Sequence, residues 1–583
     1  PASVQSSIPS AKPQPVLPCT AALGSVLSPK PSGRPIVVVN YAAYDRFFRY
    51  WGQDIDLSAG FPAARTHRIT HMQLDTAKIT QDARTLGAKD ADSSTHLVCL
   101  LDRGFDIARL PYGAMLKQRL KAARHKLAAD SPFHTQLPNA QGTRLSLLVA
   151  DPGQSAFERL TLARKTIAAQ RQPAPEILTL ACFGLKAGDA ERTCEALLAA
   201  ALAADFPLPR YKSEPDKSPR LRTISIYGHV ARNGYARTFA SARGNNLARW
   251  LTALPPNELT PGNYRKRVQT LAREYGWRSE FLGLKKLHAK GAGAFLAVAQ
   301  GSPDPDAGIL HLRYTPKPQS RHPGRAALGS IPSPKKKSAK DALALVGKGI
   351  CFDTGGTNLK NAKYMHGMHE DMQGSAVALG TLLALTELKA QFPVDCWLAL
   401  AQNHIGPKAY KQNDIVKAAN GKTIEVMHTD AEGRMVLADT LYFASQAKPK
   451  LLVDYATLTG ACIGALSTRL SGTLTNREKL VPILIEAGNA SGERVWPFPL
   501  PKDYEDALKS DIADIKQCTL DSDADHILAA TFLKKFLVND PDWVHVDLSA
   551  GNHKGGLAHI PTDITGFGVR LTLNLLLDQK ILS

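Results

Sequence analysis

Ala342-Leu343-Ala344-Leu345-Val346 runs without a break into Gly347-Lys348-Gly349-Ile350-Cys351-Phe352-Asp353-Thr354-Gly355-Gly356-Thr357-Asn358-Leu359-Lys360. Apolar residues of buried-strand type lead into a glycine-rich polar loop, and a helical pattern begins at Asp371. Strand, polar loop and helix form the repeating unit of layered α/β folds, in which ligands gather at the carboxyl ends of strands. The unit recurs downstream. Residues 394–401, 451–455 and 544–548 read as strands, and 371–388, 434–446 and 527–538 as helices.

Upstream, strand patterns at 34–39, 95–101, 144–150 and 176–181 alternate with helical ones at 112–128 and 156–169. We therefore expect two α/β domains: a smaller one over 35–235, and a second over 276–583 with a central mixed sheet flanked by helices. Linker helices over 236–275 join them. Thr260 caps one of these, with Pro261 at its first position. Residues 1–34 contain no Asp or Glu, are rich in Ser and Pro, and read as a disordered tail.

A chain of 583 residues is too long for one core. No apolar run reaches the roughly 18 residues that a membrane span needs, and the Ala-rich stretch 196–208 reads as a buried helix. The eight cysteines form no CxxC pair, which suits reduced core thiols in a cytoplasmic protein. Lys and Arg number 72 against 52 Asp and Glu, a net charge of +20. Seven of those charges sit in 316–340, at Lys317, Arg321, Arg325, Lys335, Lys336, Lys337 and Lys340. That segment reads as a flexible basic insert between two strands.

Four carboxylates lie in or beside short glycine-rich loops: Asp353, Asp371, and Asp430 and Glu432 in His428-Thr429-Asp430-Ala431-Glu432-Gly433-Arg434. If they converge without cations, they repel one another and some must take up protons. Two divalent ions resolve the conflict, because oxygen ligands suit Zn²⁺, Mn²⁺ or Mg²⁺ and shared carboxylates can bridge a pair. Each segment alone also reads as a turn or a helix cap. Their joint occurrence, in order and in one domain, favours the chemical reading.

These residues resemble the signature of the leucyl (cytosol) aminopeptidase family. That family carries a Gly-Lys-Gly-(x)₂-Phe-Asp-Ser-Gly-Gly segment, a Lys seven residues after the Asp, an Asp eleven further on, and the hallmark Asn-Thr-Asp-Ala-Glu-Gly-Arg. Lys360 and Asp371 stand at those spacings, and 453–461 and 255–261 also resemble family segments. The resemblance implies a soluble two-metal aminopeptidase that releases N-terminal residues, leucine or other apolar ones preferred. Lys348, Asp353, Asp371, Asp430 and Glu432 would ligate two divalent ions (Mn²⁺ or Zn²⁺, with Mg²⁺ a third option), and Asp353 and Glu432 would bridge them. Lys360 would polarise the scissile carbonyl, and Arg434 would hold a bicarbonate general base. Met368, Thr457 and Gly460 would line the side-chain pocket, and the Leu458 carbonyl would bind the peptide. A homohexamer is implied as well.

The chain also departs from the pattern. His428 stands where the family has Asn, and Thr354 where it has Ser. His428 reads as a neutral substitute making a similar hydrogen bond. His366, His369 and His404 read as surface or supporting residues, since the ligand set is complete without them. Asp521, Asp523 and Asp525 replace a glycine-rich loop and read as a surface change. The loop 551–561, with His553, Lys554 and His559, is expected to flank the site's mouth. An alternative from another class is a DNA-binding architectural or regulatory protein on this fold, suggested by the charge. Salt-dependent DNA binding by the whole chain, set against a chain lacking 316–340, separates the two.

Overall fold

The computed structural model describes residues 74–582, apart from 75, 215, 317–341 and 522. The expected tail 1–34, the strand at 34–39 and nearly all of the basic insert lie outside the described residues. A first sheet contains β1 (Lys78–Asp82), β2 (His96–Leu101), β3 (Phe133–Gln136), β4 (Arg144–Val149), β5 (Ile177–Phe183) and β6 (Thr223–Tyr227). Its order is β1-β6-β5-β2-β4-β3, parallel except at β3. Helices Ala156–Gln170 and Ala187–Asp205 accompany it, and the second takes in most of the Ala-rich stretch, which is buried. The helix expected over 112–128 stops at Ala122, because Arg124 turns left-handed at φ 50°.

Eleven further strands follow: β7 (Arg278–Gly283), β8 (Gly308–Tyr314), β9 (Leu343–Asp353), β10 (Val394–Asn403), β11 (Ile415–Lys417), β12 (Thr423–Glu425), β13 (Leu451–Ala456), β14 (Ser471–Thr475), β15 (Val495–Pro497), β16 (Ile515–Lys516) and β17 (Asp542–Asp547). Eight of them form a mixed sheet ordered β15-β14-β17-β13-β9-β10-β8-β7, and β11, β12 and β16 form a small one. β9 is buried almost throughout and reads as a central strand covered on both faces. It continues past Val346 through Gly347-Lys348-Gly349, where the sequence suggested a loop.

From β9 the chain crosses through helix Gln373–Glu387 to β10 on one side. It later crosses through helix Glu432–Gln446 to β13 on the other. Opposed crossovers open a crevice at the carboxyl end of β9. Helix Gln373–Glu387 is buried from Gln373 to Leu385, as its apolar circumference requires.

Helices Ala236–Thr252 and Pro261–Tyr275 lie between the two large sheets in sequence. Thr260 Oγ1 accepts from the Asn263 amide, and Pro261 opens the second helix as expected. The first helix meets Gln373–Glu387 at Gly244 and Gly380. A Cβ on either glycine would stand 2.3 Å from the other's carbonyl oxygen, so only glycine allows this approach. Arg249 is fully buried, and its guanidinium donates to the Ala203 carbonyl, Asn246 Oδ1 and Thr562 Oγ1. The seven described cysteines are free and buried. Among the described residues, no helix is long and apolar enough to cross a membrane.

Glu493 is buried below the C-terminal helix Val569–Leu577 and accepts from the Gly568 and Leu571 amides. Burial pushes its carboxyl up to about 7. A raised carboxyl binds its proton more tightly in the folded than in the unfolded state. Its contribution is therefore complete below pH ~4.5 and is lost as pH rises through about 7. Glu493→Gln keeps an acceptor and removes the charge. Thermal melts should show it more stable than the native chain at pH 8, by about 1–3 kcal/mol, with the gap closing toward pH 4.5.

Candidate active site

Lys348 sits within β9 with its ammonium buried, and three acceptors surround it. Nζ lies 2.8 Å from Asp371 Oδ1, 2.9 Å from Glu432 Oε1 and 2.8 Å from the Thr457 carbonyl. Asp371 precedes helix Gln373–Glu387, Glu432 opens helix Glu432–Gln446, and Thr457 follows β13. One side chain thus ties together three loops at the crevice. Lys360 does the same one step outward, 3.0 Å from Asp353 Oδ2 and 2.5 Å from Asp430 Oδ1.

The carboxylates are strained electrostatically. Burial lifts Asp371 well above the usual carboxylate range; Lys348 opposes this, while Glu432 and Asp353 add to it. Burial also raises Asp353 and Asp430, with Lys360 working against both. For the lysines, burial favours the neutral amine, but the surrounding carboxylates outweigh it and hold both ammoniums charged.

Four carboxylates against two ammoniums leave an excess of negative charge. Oxygens of Asp353, Asp371 and Glu432 lie within 4.8 Å of one another. Asp371 Oδ2 and Glu432 Oε2 are buried without a hydrogen-bond partner. Unpartnered carboxylate oxygens converging in a buried site are what hard divalent cations require, so this donor set fits metal. Among the described residues, the group contains carboxylates and no histidine.

Of the residues expected to face a substrate, Thr457 joins the cluster directly. Thr457 Oγ1 donates to Asp371 at 2.7 Å. The Asp547 carboxylate accepts from the Leu458 and Thr459 amides and the Thr459 hydroxyl, fixing that loop. Gly460 faces open space, and Met368 lies half-buried in the 3₁₀ turn Met368–Glu370 just before Asp371. Asn552, in the loop expected at the mouth, donates to Glu370 beside Asp371. His559 of that loop is buried instead of lying on a rim.

Several supporting residues carry no sequence signal of their own. The Asn403 amide donates to Asp353 Oδ1 and to the Thr429 carbonyl. Gln517 accepts from the Met427 and His428 amides and donates to the Ala431 carbonyl, so one side chain shapes the loop bearing Asp430 and Glu432. Gln517 is far away in sequence and is brought here by the pairing of β16 with β12. His428 Nδ1 accepts the Asp430 amide, and burial together with Lys360 lowers its pKa, so it serves as a neutral acceptor.

Asp525 departs from the expectation of a surface change. Its carboxylate is not a surface feature: it pairs with the buried guanidinium of Arg434 at 2.7 Å. Asp521 and Asp523, its neighbours in the loop, are exposed as expected.

Converging buried carboxylates and lysines at a strand-end crevice define a metal-dependent hydrolase site. Residues 246–573 match the description "Cytosol aminopeptidase family, catalytic domain". A probable cytosol aminopeptidase of Synechococcus sp. (strain CC9605) is 38% identical over 409 residues, covering 69% of this chain and 78% of its own. One from Nostoc punctiforme is 34% identical over 503 residues, covering 84% and 94%. Among solved structures, a tomato leucine aminopeptidase mutant superposes with TM-score 0.72 at 26% identity, covering 86% of this chain and 97% of its own. The bottromycin maturation enzyme BotP, in complex with Mn, superposes at 0.69 with 29% identity, covering 84% and 100%. The chain belongs to the cytosol aminopeptidase family. It is an aminopeptidase, a metal-dependent exopeptidase acting on peptides.

A Cβ on Gly433 would stand 2.7 Å from Lys348 Nζ. Gly433→Ala should therefore displace the ammonium while leaving the fold intact. We expect kcat to fall by about 100-fold with an unchanged circular dichroism spectrum.

Proposed function

We propose that the chain removes the amino-terminal residue of peptides, leucine or other apolar residues preferred, with water activated at a pair of divalent ions. The observation that carries this reading is the convergence of Asp353, Asp371 and Glu432 oxygens within 4.8 Å, with Asp430 tied to Asp353 through Lys360. In this reading Lys348, Asp353, Asp371, Asp430 and Glu432 would hold the ions, with Asp353 and Glu432 able to serve both. Mn²⁺ is favoured over Zn²⁺ or Mg²⁺ because a structural relative is in complex with Mn. When bound, such ions lower the pKa of water and polarise a carbonyl oxygen.

The remaining work falls to the chain itself. Asp371 receives the free α-amine, so a peptide is gripped by its first residue. Lys360 stays charged and stabilises the oxygen that becomes negative as the carbonyl is attacked. Lys348 acts as a ligand only as a neutral amine, which requires the cations to take over the neutralisation its own charge supplies. The Leu458 carbonyl orients the peptide. Met368, Thr457 and Gly460 border the first side chain, and the open space before Gly460 gives it room.

On Arg434, where bicarbonate was expected, Asp525 offers both of its oxygens to Nη2, while Nε is buried without a partner. A second anion there would face a like charge, and no step is taken through it. The DNA-binding reading has only the net charge of +20 behind it, seven units of which lie in 316–340.

The test strips the enzyme of metal and re-supplies Mn²⁺, Zn²⁺ and Mg²⁺ separately, with a series of amino-acid anilides as substrates. Hydrolysis should vanish on stripping, return best with Mn²⁺, and run faster on leucyl than on glutamyl or lysyl anilide. No hydrolysis under any metal would sink the reading. The family also suggests a homohexamer. Light scattering should then report six copies of the 63.0 kDa chain, and a monomer mass would remove that part.

A further inference from the structure

Arg434 stands two residues after Glu432 in the first turn of helix Glu432–Gln446 and is only 2% exposed. Its Nη2 donates to both Asp525 oxygens, at 2.7 and 2.8 Å, and Nη1 to the Gln517 carbonyl at 3.3 Å. Asp525 begins helix Asp525–Lys534, and its side chain remains 23% exposed. Gln517, whose carbonyl accepts from Arg434, also accepts from the His428 amide and donates to the Ala431 carbonyl, so this ion pair borders the loop that carries Asp430 and Glu432. Of the three acids in the loop, only Asp525 turns inward.

We infer that Asp525 is the general base of this enzyme, a carboxylate built into the chain where a vacant guanidinium would have to recruit an anion from solution. The inference rests on the aminopeptidase reading above. A carboxylate and bicarbonate offer the same planar pair of oxygens to a guanidinium, so the same arginine can hold either. A buried arginine needs a counter-charge in any case, and Asp525 supplies one that cannot diffuse away.

An O–H bond of the nucleophilic water breaks as its oxygen bonds to the carbonyl carbon, and Asp525 takes the proton. The tetrahedral carbon then releases the leaving nitrogen. As the C–N bond breaks, Asp525 delivers the proton to that nitrogen and returns to a carboxylate. One water is consumed, two products form, and nothing is oxidised or reduced.

The experiment compares Mn²⁺-loaded native enzyme, Asp525→Asn and Asp525→Ala in carbonate-free buffer and with millimolar bicarbonate. The ¹³C line of labelled bicarbonate is recorded in parallel. Native kcat should ignore bicarbonate, and the labelled line should stay sharp. Asp525→Asn should lower kcat by about 10²–10⁴-fold with KM and Mn content close to native; because it leaves Arg434 buried without its counter-charge, the melting temperature should also fall, and the kinetics are read well below it. Asp525→Ala frees Arg434; it should broaden the labelled line and regain about tenfold in kcat on adding bicarbonate, a response that a merely structural role would not give.

A native enzyme that binds labelled bicarbonate, or is accelerated by it, overturns the inference. So does an Asp525→Asn enzyme as fast as native. Native enzyme inactive with every metal would strike the aminopeptidase reading instead, and the ¹³C line would still report whether the guanidinium is open.

Discussion

The ammonium of Lys348, held between Asp371, Glu432 and the Thr457 carbonyl, is the contact on which the crevice depends. Each partner arrives from a different part of the chain, and the two carboxylates and the ammonium are all buried. Removing one would leave the rest as unpaired ions in a low-dielectric interior, where the penalty is several kcal/mol. Lys360 repeats the device with Asp353 and Asp430. The site is thus a lattice of mutual neutralisation with a residual negative charge, which suits it to cations and to the amino end of a peptide.

The scaffold makes this lattice possible by allowing close approach. Gly433 leaves the space that the Lys348 side chain fills. Gln517 and Asn403 hold the loops carrying the acids through backbone contacts, so the carboxylates are aimed by their neighbours and not by their own turns. Asp547 does the same for the loop that would face the peptide.

Much of this was legible in the sequence. The layered α/β architecture followed from strand and helix periodicities, and the six acids and bases now found around one crevice were marked by glycine-rich spacing. Thr260 and Pro261 announced their helix correctly because capping is local. What could not be read depends on pairing across long separations. β16 lies next to β12 only in three dimensions, so Gln517 and Asp525 gave no local sign of their proximity to Glu432 and Arg434. Asp525 looked like a surface acid because its neighbours Asp521 and Asp523 are. β9 ran longer than its apolar run suggested, since Gly347 and Gly349 serve the packing of helix Gln373–Glu387 and do not end the strand.

The contact between Gly244 and Gly380 bears on how such a protein can be recombined. Helix Gln373–Glu387 follows directly from Asp371, and its back is braced by helix Ala236–Thr252, whose Asn245 and Arg249 are bonded to the loop around Thr562 and Gly566. A chimaera that takes its first sheet from another source must therefore keep Ala236–Thr252 with the second. The natural seam for exchange falls just before Ala236, near the start of the interval between the two large sheets and not at its middle.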